Sequence, residues 1–195
     1  MKSIAISGSA RQNVGKRDAK ELRYEGRVPC VLYGGEEQHH FSASAADLRD
    51  LIYTPEAMFV DLDLEGKKFR ASMKDIQFHP VSDEVLHVDF LQLFDDKLVK
   101  MDVPVRLTGV SPGVRSGGKL LQNFRKLQVK GYPKDMIDFI AVDISSLEVG
   151  DSIRVADIKL DNLELLNLTE STVVKVDQSR ATRSAQTGET EGEAE

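Results

Sequence analysis

Apolar and polar residues alternate through most of this chain, with the period of two that is typical of β-strands with one buried face. The clearest run covers residues 58–64, which lead to a turn at Glu65–Gly66, and a second alternating run returns over residues 68–73. Shorter strand-like runs recur at 28–33, 39–42, 75–79, 85–90, 99–107, 126–130, 139–144, 152–155 and 172–176. The pattern therefore predicts a mainly β protein.

Helical spacing is confined to two short segments. The sequence KRDAKELRYE consists of good helix formers and lies between Gly15 and Gly26, which are typical of helix boundaries. The second segment follows Ser44, has Asp47 three residues later as in a capping box, and ends at Pro55. Its apolar residues share one face, which predicts a buried stripe formed by Leu48, Leu51 and Ile52.

The predicted strands divide into two groups at the polar junction Asp95–Lys97. Before it, many closely spaced antiparallel strands favour a small closed barrel, because closure removes exposed strand edges. After it the pattern is again mainly β, but the last residues have no large apolar side chain to offset the entropy cost of ordering. We expect an all-β architecture with a few short helices: an antiparallel β-barrel domain at 1–94, a mainly β domain at 95–178 and a disordered acidic tail at 179–195.

The composition of the 195 residues narrows the class of protein. With 41% hydrophobic and 30% charged residues, the chain can bury a core, which excludes a fully disordered protein. The single cysteine, Cys30, excludes an internal disulfide and a cysteine-based zinc cluster, and we expect it to be a small buried apolar residue. No apolar run approaches the roughly 18 residues of a membrane span, and no signal peptide is recognisable. We expect a soluble cytoplasmic protein.

The net charge of −6 hides an uneven distribution. Residues 1–35 contain seven basic and three acidic residues, a net charge of +4, so the rest of the chain carries −10. In the predicted first helix, Lys16, Lys20 and Arg23 follow the i, i+4, i+7 spacing that places them on one face. Such a face is either an ordinary solvated surface or a cationic edge that binds phosphates, and the spacing alone leaves both open.

Polar side chains also alternate with apolar ones along two predicted strands. Gln77 and His79 do so in IQFHP, and His87 and Asp89 do so in VLHVDF. If these strands are neighbours, the four polar side chains project from one sheet face, and the apolar ones, including Phe78, fill the core. Three interpretations compete: a metal or hydrolytic site, hydrogen bonds within the sheet, or a surface that recognises 2′-hydroxyls and base edges of RNA.

The sequence gives little support to catalysis. It contains no HExxH-like spacing, Gly-Xaa-Ser-Xaa-Gly elbow, phosphate-binding loop or dinucleotide fingerprint. We therefore expect no enzymatic activity, no bound metal or cofactor and no small-molecule substrate. A cationic helix beside a polar sheet face favours RNA recognition instead, because the helix can bind phosphates while the sheet contacts sugars and base edges.

The ordered motifs resemble a known family. The run GKRDAKELRYEGRVPCVLYGG, followed by IQFHP and LHVDF, is similar to the bacterial large-subunit ribosomal proteins that bind 5S ribosomal RNA. The later motifs VPVRLTGVSPGVRSGG and FIAVDISSLEVGDSIRVADI resemble the long two-domain form, also called general stress protein CTC. The resemblance covers about residues 3–178 and leaves the tail outside.

This resemblance implies more than the residues alone predict. It implies a six- to seven-stranded barrel similar to the anticodon-binding domain of glutaminyl-transfer-RNA synthetase, and a non-enzymatic protein that binds 5S rRNA in the large ribosomal subunit. Away from the ribosome we expect a monomer. By motif, the family's RNA-contacting residues correspond to Arg11, Lys16, Lys20, Arg23, Tyr33, Gln77, His79, His87 and Asp89.

Two acidic residues in the first helix depart from the family pattern. Glu21 stands where a basic residue is common, and Asp18 where a small neutral residue is usual. If this helix meets phosphates, Glu21 must face away from them, and Arg17 is positioned to pair with it one turn earlier. The alternative function is a stress-associated interaction protein whose barrel binds another protein or an unrelated RNA.

Overall fold

The computed structural model describes residues 1–178. They belong to two compact units, the first formed by Met1–Met101 with Gly131–Asp138, the second by Asp102–Lys130 with the chain from Phe139 onward. The tail predicted at 179–195 lies outside the described residues. Within the described part of the chain, no helix has the length and apolar character that crossing a membrane requires.

Six strands and two helices precede the junction at Asp95. In chain order they are β1 (Ser3–Ala10), α1 (Lys16–Tyr24), β2 (Arg27–Tyr33), β3 (His39–Ser44), α2 (Ala45–Tyr53), β4 (Phe59–Leu64), β5 (Lys67–Phe78) and β6 (Val85–Gln92). Both predicted helices are confirmed to within one residue at each end. The strand β1 was not predicted from the alternation pattern.

These six strands close into a barrel in the order β1-β3-β2-β6-β5-β4. Four neighbouring pairs are antiparallel, whereas β1 is parallel to β4 and β2 is parallel to β6. The predicted closed barrel is confirmed. The predicted antiparallel direction of its strands is found in those four pairs. The two parallel pairs join strands that are distant in sequence, where no hairpin turn sets the strand direction.

Alternate residues of the strands point into the barrel and fill it with apolar side chains. The rings of Phe41 and Phe90, both fully buried, lie 5.8 Å apart at their centroids. Gly8 faces this core from β1, where a β-carbon would lie 2.5 Å from Phe41 Cδ2 and 2.7 Å from Leu64 Cδ2. The lack of a side chain at Gly8 therefore leaves room for the central phenylalanine.

One long strand, β5, replaces the two strands predicted at 68–73 and 75–79. It pairs with β4 in its first half and with β6 in its second, and the register with β6 shifts twice, between Met73 and Asp75 and between Gln77 and Phe78. The second shift interrupts the alternation, so the Phe78 side chain is 43% exposed. The expectation that Phe78 fills the core is therefore wrong.

The chain from Val99 onward is again mainly β. It forms β7 (Val99–Thr108), a short helix α3 (Pro112–Arg115), β8 (Lys119–Gln122), β9 (Lys126–Gly131), β10 (Ile140–Asp143), β11 (Ser152–Arg154), β12 (Glu164–Leu165) and β13 (Thr172–Asp177). The strands form one sheet in the order β10-β7-β9-β12 and another in the order β11-β13-β8. The predicted mainly β class is confirmed for this part of the chain. The sequence analysis missed β8, β12 and the short helix α3.

Overfilling the barrel at Gly8 tests the packing described above. We expect Gly8→Ala to lower the free energy of unfolding by about 1–3 kcal/mol, because the buried Phe41 and Leu64 side chains cannot move aside freely. Ser7→Ala, at the neighbouring exposed position of β1, is the control and should change stability by less than about 0.5 kcal/mol. Urea denaturation measures both, and equal stabilities for the two variants would contradict this packing.

The buried thiol offers a second test. Cys30 lies in β2 with 1% of its surface exposed, and burial raises the pKa of its thiol to about 12. A raised pKa means that the reactive thiolate is scarce at pH 8. We expect a chromogenic disulfide reagent to label the folded protein very slowly at pH 8, and to label one thiol per chain rapidly in denaturant. Rapid labelling of the folded chain would show that the barrel opens at β2.

Candidate nucleic-acid interface

Helix α1 is anchored to the barrel at its N-terminal end by an ion pair. None of its nine residues is fully buried, and an isolated helix of this length is marginal in water. Arg11, which follows β1, donates to Asp18 Oδ2 from Nη2 at 2.5 Å and from Nε at 3.2 Å. The Arg11 side chain is only 8% exposed. Its charge is thus compensated by Asp18, and its position holds the first turn of α1.

Arg23 anchors the other end of the helix. Its Nε and Nη2 donate to the backbone carbonyl of Leu86 at 3.0 and 2.9 Å. Leu86 immediately precedes His87 in β6, so the contact fixes α1 beside a strand of the predicted polar face. A guanidinium has five N–H donors and keeps its charge at neutral pH. Arg23 therefore retains donors and charge for a ligand after it binds Leu86.

The same contacts set the rotation of α1 about its axis. Ala19 and Leu22 are half-buried, and the helix packs on β2. Arg23 points towards β6, and the 100° step of an α-helix places the exposed Lys16 and Lys20 within about 60° of it. The predicted sharing of one face by these three cations is confirmed, and that face lies on the β6 side of the helix.

Both acidic residues of α1 lie away from the cationic face. Asp18 is held by Arg11, and Glu21 Oε1 accepts a hydrogen bond from Arg17 Nε at 3.2 Å. Helical geometry separates each carboxylate from Lys20 by at least about 100°. The expected Arg17–Glu21 pair is confirmed, and the two departures from the family pattern do not place negative charge on the face that carries Lys20.

Three predicted polar side chains share the outer face of neighbouring strands β5 and β6. Gln77 lies directly opposite His87, and Asp89 lies opposite Asp75 in the adjacent row. On its other side, Asp89 is aligned with Val31 of β2. Gln77 is exposed, and His87 and Asp89 are half-buried. The predicted placement of Gln77, His87 and Asp89 on one sheet face is confirmed.

A hydrogen bond within this face orients the histidine. Nδ1 of His87 lies 2.7 Å from Oδ1 of Asp89. With the proton on Nδ1, the ring is fixed in one orientation and Nε2 is left as the edge that can accept a hydrogen bond. The sequence left open whether this pair forms a bond within the sheet or a recognition surface. The geometry allows both, because the bond to Asp89 orients the ring and leaves its Nε2 able to accept a hydrogen bond from a ligand.

His79 departs from the predicted arrangement. β5 ends at Phe78, and His79 belongs to the following turn. There its Nδ1 accepts hydrogen bonds from the backbone N–H of Val81 at 3.3 Å and from that of Ser82 at 3.1 Å. The register shift between Gln77 and Phe78 takes this residue out of the sheet alternation. The expectation that His79 projects from the same strand face as Gln77 is therefore wrong.

Tyr33 and Asp75 extend the polar face. Burial, followed by the negative charges of Asp89 and Asp75, raises the pKa of the half-buried Tyr33 phenol. The hydroxyl of Tyr33 therefore stays protonated, as a hydrogen-bond donor, at neutral pH. The sequence analysis missed Asp75, although its spacing of two residues from Gln77 was the signal that could have found it.

Together these side chains form what we call the helix–sheet surface. It offers cations from α1, a phenol donor from β2, and amide, imidazole and carboxylate groups from β5 and β6. In residues 1–178, no group of three or more His, Cys, Asp or Glu side chains is arranged to hold a metal ion. The helix–sheet surface consists of Lys16, Lys20, Arg23, Tyr33, Asp75, Gln77, His87 and Asp89.

Comparison with known proteins gives matches to both halves of the chain. The family model described as the Ribosomal L25p family matches residues 6–90. The model described as ribosomal protein TL5, C-terminal domain, matches residues 98–180. The first match includes all six strands of the barrel in whole or in part, and the second includes all seven strands that follow within residues 1–178.

Curated relatives match over nearly the full length. The large ribosomal subunit protein bL25 of Amoebophilus asiaticus is 50% identical over 192 residues, which cover 98% of this chain and 97% of the relative. The protein of the same name from Cytophaga hutchinsonii is 51% identical over 167 residues, covering 86% and 87%. That from Phocaeicola vulgatus is 45% identical over 192 residues, covering 95% and 97%. This chain therefore belongs to the bL25 family of large ribosomal subunit proteins, in the long two-domain form, and is a structural protein rather than an enzyme.

Proposed function

We propose that this chain binds 5S ribosomal RNA, as a component of the large ribosomal subunit in the bacterial cytoplasm, through the helix–sheet surface of its barrel. The observation that carries the proposal is the pair of hydrogen bonds from Arg23 to the Leu86 carbonyl. These bonds hold the cationic face of α1 beside the row formed by Gln77 and His87. One rigid surface can thereby supply both charge and polar recognition.

The cations of α1 are suited to phosphate binding. Among the described residues, neither Lys16 nor Lys20 has an ion-pair partner, and Arg23 is bound to a neutral carbonyl. Each phosphate that these groups neutralise releases a counterion, so three contacts give a slope of log K against log salt of about −2.7. Arg11, whose charge is compensated by Asp18, acts in this proposal by positioning α1.

The polar face supplies recognition beyond charge. A-form RNA presents 2′-hydroxyls and base edges in a wide, shallow minor groove, which a sheet face can approach. The Gln77 amide offers donors and an acceptor, His87 Nε2 and the Asp89 carboxylate offer acceptors, and Tyr33 offers a hydroxyl donor or a ring for stacking. Base edges differ from one folded RNA to another, so contacts of this kind distinguish 5S rRNA from a generic duplex, whereas the cations of α1 bind the phosphates of either.

Replacing one cation tests the phosphate contacts. We expect Lys20→Ala to weaken binding to 5S rRNA and to unrelated RNA alike, and to flatten the salt slope by about one unit, because one fewer counterion is released. The measurement is filter binding of the full chain over a series of salt concentrations. Lys68→Ala is the matched control: Lys68 is an exposed lysine on β5, nine residues before Gln77, or about 30 Å along an extended strand. If the salt slope of Lys20→Ala is unchanged, Lys20 contacts no RNA phosphate, and α1 is not part of the interface.

Replacing the polar pair tests recognition. We expect Gln77→Ala and His87→Ala each to weaken binding to 5S rRNA about fivefold to tenfold, as the loss of one hydrogen bond predicts, while affinity for a generic RNA duplex stays the same. Competition of 5S rRNA against that duplex in an electrophoretic shift assay measures the difference. Gln128→Ala removes an exposed amide from the second unit and should change neither affinity. Full discrimination in both Gln77 and His87 variants would make this sheet face purely structural.

A further inference from the structure

A groove in the first unit adjoins the helix–sheet surface and shares Arg23 with it. It has a volume of about 780 Å³ and is lined by residues of α1, α2 and the segment between β5 and β6. Arg23 and Leu86 belong both to its lining and to the contact that anchors α1. The groove is therefore continuous with the proposed RNA-binding surface.

The second helix contributes one wall of this groove. Leu48 and Leu51 bury one side of α2 in the barrel core. Arg49, Ile52 and Tyr53 follow the i, i+3, i+4 spacing and share the neighbouring flank, which lines the groove. Ile52 is half-buried there, so the fully buried stripe expected from the sequence comprises only Leu48 and Leu51.

Two of these side chains are available to a ligand. Tyr53 is 64% exposed, although a tyrosine ring can bury a large area in a core. Arg49 is exposed, and it has no hydrogen bond or ion pair with any residue between 1 and 178. An exposed aromatic ring one helical turn from an uncompensated guanidinium is the combination that binds single-stranded nucleic acid, by stacking and by charge.

We propose that this groove holds an unpaired nucleotide of the RNA bound on the helix–sheet surface, with its base against Tyr53 and Ile52 and its phosphate near Arg49. The inference rests on the proposed function, because the shared Arg23 would bring a strand of that RNA to the mouth of the groove. The volume lies within the range of pockets for small organic ligands.

The acidic residues of the groove favour a nucleotide over a peptide. Asp83 and Glu84 belong to its lining, and their carboxylates can accept hydrogen bonds from amino and imino groups of a base. They would repel an acidic peptide, while Arg23 and Arg49 would repel a basic one. A nucleotide has an anionic end for the arginines, a flat ring for Tyr53 and donor groups for the carboxylates, and proteins recognise RNA chiefly at such unpaired bases.

The test measures binding of full-length variants to a 5S rRNA transcript. Tyr53→Leu should weaken binding about tenfold with no change in salt slope, because it removes a stacking ring without removing charge, and Tyr53→Phe should restore the affinity. Arg49→Gln should weaken binding and flatten the slope by about one unit. Tyr132→Leu, which replaces another exposed tyrosine that does not line the groove, is the control and should leave affinity unchanged.

Measuring Lys20→Ala in parallel separates this inference from the proposed function. If Lys20→Ala weakens binding but Tyr53→Leu and Arg49→Gln bind with full affinity, the inference that the groove holds a nucleotide is wrong. The proposal that the helix–sheet surface binds RNA is then still supported. Full affinity for all three variants overturns both proposals. If Tyr53→Leu keeps its RNA affinity but no longer co-sediments with large ribosomal subunits, the groove binds a protein instead, and the nucleotide inference is wrong.

Discussion

The contact of the Arg23 guanidinium with the Leu86 carbonyl is the constraint on which the functional geometry depends. Helix α1 is short, buries no residue fully and rests on β2 only through half-buried side chains. A rotation of about 100° would replace the cationic face by the Arg17–Glu21 pair, which is nearly neutral as a unit. Arg23 at one end and Arg11 with Asp18 at the other prevent this rotation, because each anchor fixes a different turn of the helix.

The five basic residues from Arg11 to Arg23 therefore divide into two chemical roles. Arg11, Arg17 and Arg23 use hydrogen bonds to compensate carboxylates or to anchor the helix, whereas Lys16 and Lys20 have no ion-pair partner among residues 1–178. Arginine suits the first role because its planar group forms several directed bonds at once. Residues 1–35 carry a net charge of +4 and the rest of the chain −10, so Lys16 and Lys20 lie in the part of the sequence that favours a polyanion.

Local periodicity predicted much of this arrangement, and nonlocal contacts account for what it missed. The i, i+4, i+7 spacing was enough to place Lys16, Lys20 and Arg23 on one face, since a helix has only one geometry. The alternation of polar residues likewise placed Gln77 with His87, but the register shift that displaces His79 depends on how β5 meets β6, which one strand's pattern does not contain. The Arg11–Asp18 pair crosses the loop between β1 and α1, and β1 pairs in parallel with β4 far along the chain, so neither strand alternation nor helical spacing marks them.

The central claim is that α1 and the β5–β6 face form a single RNA-binding surface. The most direct measurement is the change in backbone amide resonances of the ¹⁵N-labelled chain when 5S rRNA is added. The account predicts concerted changes at Lys16, Lys20, Gln77 and His87, at the same RNA concentration, with no change at Lys68. Changes confined to α1 alone, or to β5 and β6 alone, would contradict the account, since they would show that the helix and the sheet face do not act together.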